Sequence, residues 1–152
     1  MKLFIYLAIL ALMYLPGAHL AHAREDFLPM TQGGYASPRS KATLFPNYYL
    51  FVNIGTQEVT ELLIEFPLGL QVIRGIDVIS NDQVIDDVSY TIYSDRITIR
   101  FNQPISQKDL KIVLMGTKYS NHLSPIKLLY LSANIKNTPN PVSIGTILIK
   151  AN

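Results

Sequence analysis

Cysteine and tryptophan are both absent from this 152-residue chain, and histidine occurs only three times. Without cysteine there is no disulfide, no thiolate metal ligand and no thiol nucleophile, so burial alone must hold the fold in an oxidising compartment. Without tryptophan, any aromatic platform for sugars has to be built from tyrosine. An excess of one charge is missing too: 13 Lys and Arg stand against 11 Asp and Glu. The basic residues are scattered, with no run that would follow a phosphate backbone, so nucleic acid is not an expected partner. There is no G-x-G-x-x-G and no P-loop, which removes the usual footholds for nucleotide cofactors. No cofactor is expected. Internal repeats and low-complexity segments are also lacking.

What is present begins with MKLFIYLAILALMYLPGAHLAHA. Lys2 supplies a positive start. Leu3 to Leu15 is an unbroken apolar run, Pro16 and Gly17 interrupt it, and Ala21-His22-Ala23 gives a small-x-small pattern. This is the layout of a cleavable secretory signal peptide over residues 1–23, cut after Ala23. A spanning helix wants about 20 apolar residues, and this run is shorter. No cysteine follows the cut, so a bacterial lipoprotein anchor is excluded. The chain reads as exported, periplasmic or extracellular, with no transmembrane anchor in the mature part. Cleavage removes His19, His22 and Lys2, which leaves His122 as the one histidine and a nearly neutral balance of charge. The remainder is long enough for one domain with a working core.

Residues 24–40, REDFLPMTQGGYASPRS, carry two prolines, a glycine pair and little periodicity, and read as a flexible leader. From Lys41 to Asn152 (residues 41–152) the pattern changes to short apolar runs bounded by turn residues. NYYLFVNI at 47–54 is β-branched and aromatic. VTELLIEF at 59–66 sets Leu62, Ile64 and Phe66 on one face and Glu61 and Glu65 on the other. LQVI at 70–73 and IDVIS at 76–80 flank Gly75, which suggests a bend or bulge. Asn81-Asp82 is a turn signal. Val88, Tyr90 and Ile92 alternate with polar residues, Ser94-Asp95 makes a turn, and Ile97, Ile99 and Phe101 alternate again before Pro104. Runs at 110–116, 126–134 and 143–150 complete the set. A period of two puts successive side chains on opposite faces of a sheet, and no capped amphipathic helix of three turns is present. About eight strands at this spacing predict an all-β domain, an antiparallel β-sandwich of immunoglobulin-like type, with a barrel as the alternative closure.

The chemistry-bearing residues are sparse. His122 lies in the loop GTKYSNHLSP beside Ser120 and Ser124, with Asp109 as a conceivable orienting acid, but G-x-S-x-G is absent. A hydrolase centred on His122 is therefore the weaker alternative to a solvated loop histidine. One histidine without cysteine does not supply a zinc site. Asp82, Asp86 and Asp87, with Asn81 and Asp95 nearby, offer oxygen ligands of the kind calcium takes, yet the EF-hand pattern is missing. Glu61 and Glu65 share a strand face about 13 Å apart at roughly 3.3 Å per residue, wider than the separation of about 5–9.5 Å that glycosidases use. Tyr48, Tyr49, Tyr90, Tyr93, Tyr119 and Tyr130 remain for a glycan- or small-ligand-binding surface, with Tyr93 outward if Tyr90 points in. No catalytic, cofactor-binding or metal residue is assigned. The leading expectation is a non-enzymatic interaction or structural module that meets an envelope or cell-surface protein.

The segments Tyr48-Tyr49-Leu50-Phe51-Val52, Val59-Thr60-Glu61-Leu62-Leu63-Ile64 and Ile97-Thr98-Ile99-Arg100-Phe101-Asn102-Gln103-Pro104-Ile105 resemble successive pieces of a secreted cyanobacterial family, known only as domain of unknown function 2808. Leu129-Tyr130 and Ile144-Gly145 are similar to that family's closing portion, so the resemblance spans residues 38–150. Its motif is strand patterning around F-x-x-P-I. Ser106-Gln107 departs from the Pro-Gly of that family, and Gly55-Thr56-Gln57-Glu58 from its Ala-Gly-rich turn. The resemblance implies a secreted domain of unassigned activity and carries over no functional residue.

Expression in a secreting bacterium should yield a soluble chain whose first residue is Arg24, read by intact-mass spectrometry. Replacing the small residue before the cut, Ala23→Phe, should leave the longer precursor in the membrane fraction.

Overall fold

The computed structural model describes residues 28–37, 45–66, 69–119 and 126–150. The expected signal peptide with Ala23, and the loop with His122, lie outside the described residues. Ten strands run in order: β1 Met30–Ser37, β2 Asn47–Ile54, β3 Val59–Glu65, β4 Leu70–Ser80, β5 Gln83–Val84, β6 Val88–Ile92, β7 Arg96–Ile105, β8 Lys108–Tyr119, β9 Ile126–Ile135 and β10 Val142–Lys150. No helix among the described residues is long and apolar enough to cross a membrane.

The strands form two five-stranded sheets, β1-β2-β8-β4-β5 and β10-β9-β3-β7-β6, antiparallel throughout. This is the expected immunoglobulin-like sandwich, not a closed barrel. The chain crosses repeatedly from one sheet to the other, so each sheet joins hairpins of consecutive strands to strands distant in sequence, as where β8 lies between β2 and β4. Backbone bonds tie the crossings together: Gln107 N–H donates to Gly55 O at 2.7 Å, and Lys136 N–H to Glu58 O at 2.8 Å.

Alternation, strictest in β2, fills the space between the sheets. In β2, Tyr48, Leu50, Val52 and Ile54 are buried while Tyr49, Phe51 and Asn53 face out half-covered. Leu62 and Ile64 of β3, Ile97 and Ile99 of β7, Leu110, Ile112 and Leu114 of β8, and Leu129 and Leu131 of β9 join them. Burying each such side chain contributes about 1.5–3 kcal/mol.

Four differences from the sequence reading have physical causes. The stretch read as leader contains β1, which pairs with β2 from Met30↔Asn53 to Ser37↔Asn47. Its alternation is hidden because a bulge between Thr31 and Gly33 shifts the register. The segments on either side of Gly75 are one strand, β4, with a bulge between Val72 and Gly75. Pro104 does not close β7, which runs on to Ile105. The β3–β7 register jumps between Val59↔Ile105 and Glu61↔Arg100, so Pro104 sits where no ladder bond is demanded of it. Finally β5, only two residues long, answers a hairpin turn at Asn81 and Asp82. Their φ angles of 50° and 58° give the primed turn that suits a tight hairpin. The count is therefore ten strands instead of about eight.

The sandwich is shut along one flank, where β1 lies against β10. Gly145, at φ 131° in a β10 bulge, faces Thr31 so closely that a Cβ there would strike its hydroxyl. Gly33, at φ 118°, has open space where its Cβ would be. Both positions disfavour an L side chain, but only one also resists sterically. Gly145→Ala should thus lower the urea midpoint more than Gly33→Ala. In the core, Ile112→Ala should destabilise by about 2–5 kcal/mol in the same measurement.

Candidate functional site

The outer face of the β10-to-β6 sheet is organised around Glu61. It lies at the centre of the sheet on β3, opposite Arg100 of β7 and Asn134 of β9. Arg100 Nε donates to Glu61 Oε2 at 2.6 Å and Asn134 Nδ2 to Glu61 Oε1 at 3.0 Å. Both oxygens are engaged, and the carboxylate is largely sheltered. The hydrogen bond to Glu61, and then its charge, raise the Arg100 guanidinium above its ordinary pKa. Glu65 stays exposed and pairs across the strands with Arg96 and Tyr130. The two glutamates thus act separately, and Glu61 joins three strands.

Asp109 plays the same part on the other sheet. It accepts from Asn53 Nδ2 at 2.7 Å and more weakly from Gln32 Nε2 at 3.4 Å, which ties β8, β2 and β1. Asp82 meets Lys111 at 3.7 Å, and Asp87 accepts from Asn102 at 3.4 Å. Asp82, Asp86 and Asp87 are solvent-facing turn residues. Among the described residues no group of three or more His, Asp or Glu gathers in a way that would hold a metal.

The tyrosines separate by strand parity. Tyr48 is a core residue. Tyr49 faces out and stacks on Tyr35 with centroids 4.8 Å apart and planes 14° apart, while Phe51 lies 5.9 Å from Tyr35. Rings stacked on one another each spend one face on the stack. Tyr35 was not among the residues singled out in the sequence, because its strand lies in the stretch read as leader. Tyr130 stands on the outer face, half exposed beside Leu128 and Leu148. Tyr93 carries Arg96 over its ring at 5.0 Å.

Tyr90 points into the gap between the sheets, the condition under which Tyr93 is expected to face outward. It sits opposite the buried Ile99, and its Oη lies close to where a Cβ on Gly75 of β4 would stand. Yet Tyr90 is 45% and Ile92 37% exposed. The cause is topological. β6 is the last strand of its sheet, and β5, the last strand of the facing sheet, has only two residues. The hairpin bonds Tyr93 N–H to Arg96 O and Asn102 N–H to Asp87 O show that odd-numbered residues bond toward β7. The N–H and C=O groups of Val88, Tyr90 and Ile92 therefore point away from the sheet. The arrangement combines a free row of backbone donors and acceptors with a half-covered apolar face, in a strand, VSYTI, that carries no charge and no proline.

No family model and no curated protein matches the sequence. Among solved structures the chain is similar to the major pilin subunit BcpA of Bacillus cereus, with a TM-score of 0.56 and 9% identity over 82% of this chain and 40% of the pilin. It is similar to the N-terminal domain of the Streptococcus gordonii adhesin Sgo0707, with a TM-score of 0.56 and 13% identity over 84% of this chain and 33% of that one. It is also similar to the collagen binding subdomain of the Enterococcus faecalis surface protein ACE, with a TM-score of 0.51 and 10% identity over 83% of this chain and 99% of the subdomain. The chain spans less than half of the pilin and of the streptococcal domain, and nearly all of the enterococcal subdomain. At these identities the likeness is one of fold.

Proposed function

We propose that this protein is an exported, non-enzymatic interaction module of the periplasm or cell surface, which binds another protein through the free edge of β6. The carrying observation is the unpaired, uncharged edge beside the half-exposed Tyr90 and Ile92. An added strand would satisfy the outward backbone groups of Val88, Tyr90 and Ile92 and cover their apolar side chains in one step. The signal-like first 23 residues support export. The sandwiches that share this fold occur in a pilin and in surface adhesins, among them a collagen binding subdomain, which supports an extracytoplasmic binding role.

Immobilised protein should retain envelope proteins that Ile92→Lys fails to retain, at equal thermal stability of the two baits. Ile92 is at the open flank, so the lysine can reach water while it charges the edge. Unchanged capture by Ile92→Lys would overturn the assignment to β6.

A further inference from the structure

We propose that the β6 edge takes a second copy of this chain, paired antiparallel about a two-fold axis through Tyr90. This rests on the reading of β6 as a binding edge and specifies its occupant. Three observations carry it.

The first is register. The groups free to bond outward belong to Val88, Tyr90 and Ile92. A two-fold centred on Tyr90 sets Tyr90 against Tyr90 of the other copy and Val88 against Ile92. All three pairs are then of the hydrogen-bonded kind, giving about six interchain bonds. The second is side-chain facing. Val88 packs on the core, and Tyr90 points between the sheets. The same pairing therefore places apolar on apolar along the inner face, with a cross-strand tyrosine pair at the axis. Ser89 meets Thr91 on the outer face. The third is charge. Asp86 and Asp87 precede β6, whereas the turn that follows it holds one acid and one base, Asp95 and Arg96, with Arg96 over the Tyr93 ring. Antiparallel pairing brings the acidic end of each copy to the balanced Asp95–Arg96 turn of the other, where Arg96 can meet Asp87. Asp87 comes opposite Tyr93 on the outer face, beside Arg96. A parallel pairing would set the acidic ends together.

The opposite flank does not compete. There β1 and β10 cover one another. On the β6 flank itself, β5 offers only Gln83 and Val84.

The absence of cysteine makes the test direct. Ser89 and Thr91 are exposed, so each can be replaced without touching the core. In the proposed dimer Ser89 and Thr91 form a non-hydrogen-bonded pair with Cα atoms about 4.5 Å apart, within disulfide reach. Ser89 and its own counterpart are diagonal neighbours, roughly 7–8 Å apart. Mixing purified S89C with purified T91C under mild oxidation should therefore produce a crosslinked dimer, while either variant alone gives little. Sedimentation of the unmodified chain should show mass rising from one chain to two with concentration, and Ile92→Lys should remain at one. T146C, exposed on β10, should not crosslink with either partner.

A single-chain mass up to the solubility limit would overturn the proposal, as would a dimer that Ile92→Lys leaves intact or crosslinks equal for every pair. If the chain stays monomeric while β6-dependent capture of another envelope protein persists, the dimer is wrong and the binding edge stands. If Ile92→Lys alters neither mass nor capture, both are wrong.

Discussion

Leu50, Leu62, Ile64, Ile97, Ile99, Ile112, Leu114 and Leu129 lie fully out of water in one cluster between two sheets, with no covalent bridge to assist them. That burial fixes the register of every strand that contributes to it. A slip of one residue would turn a strand's aliphatic set to solvent and its polar set inward. The outer-face features follow from the same constraint. Glu61 reaches both Arg100 and Asn134 because Leu62 and Ile64 hold β3 in one alignment between β7 and β9. Tyr49 meets Tyr35 because Tyr48 and Leu50 face the core.

Strands of regular period were legible because the period is a local property. β3 and the β6–β7 hairpin could be read from alternating residues and β2 from its β-branched and aromatic content, and the sandwich followed from their number and spacing. The missed parts depend on partners far away. β1 carries a bulge at Gly33 that breaks its alternation, and it is a strand only because β2 pairs with it. Gly75 looked like a break between two strands, but the ladder to β8 resumes beyond it. Pro104 looked like a terminator, and the register jump opposite Thr60 makes room for it. β5 has too few residues to show any pattern.

The candidate site was legible in its chemistry but not in its position. The sequence shows the uncharged VSYTI run and the period of two that sets Tyr90 on the face of Val88 and Ile92. It does not show that β6 ends its sheet, because sheet order is decided by crossings between elements distant in sequence. The acidic residues illustrate the same limit. Glu61 and Asp109 were candidates for chemistry by residue type, yet each is spent on holding neighbouring strands through paired side chains. His122 lies outside the described residues.

The two flanks of the sandwich handle the same problem in opposite ways. An edge strand presents unpaired backbone groups to any passing chain, and proteins usually cover, shorten or charge it. At one flank β1 and β10 cover each other so closely that Gly145 has no room for a Cβ beside Thr31, and a Cβ on Gly34 would lie 2.8 Å from Ile147 Cγ2. At the other flank β5 is cut to two residues, which protects its own sheet but withdraws cover from β6. β6 keeps neither a charge nor a proline, and its neighbours supply two acids, Asp86 and Asp87, at one end and a balanced pair, Asp95 and Arg96, at the other. The charges at its ends favour one direction of approach and leave the middle open. An edge guarded in that manner favours one direction of approach without excluding every partner, and this is the physical ground of the proposal that recognition lies at β6.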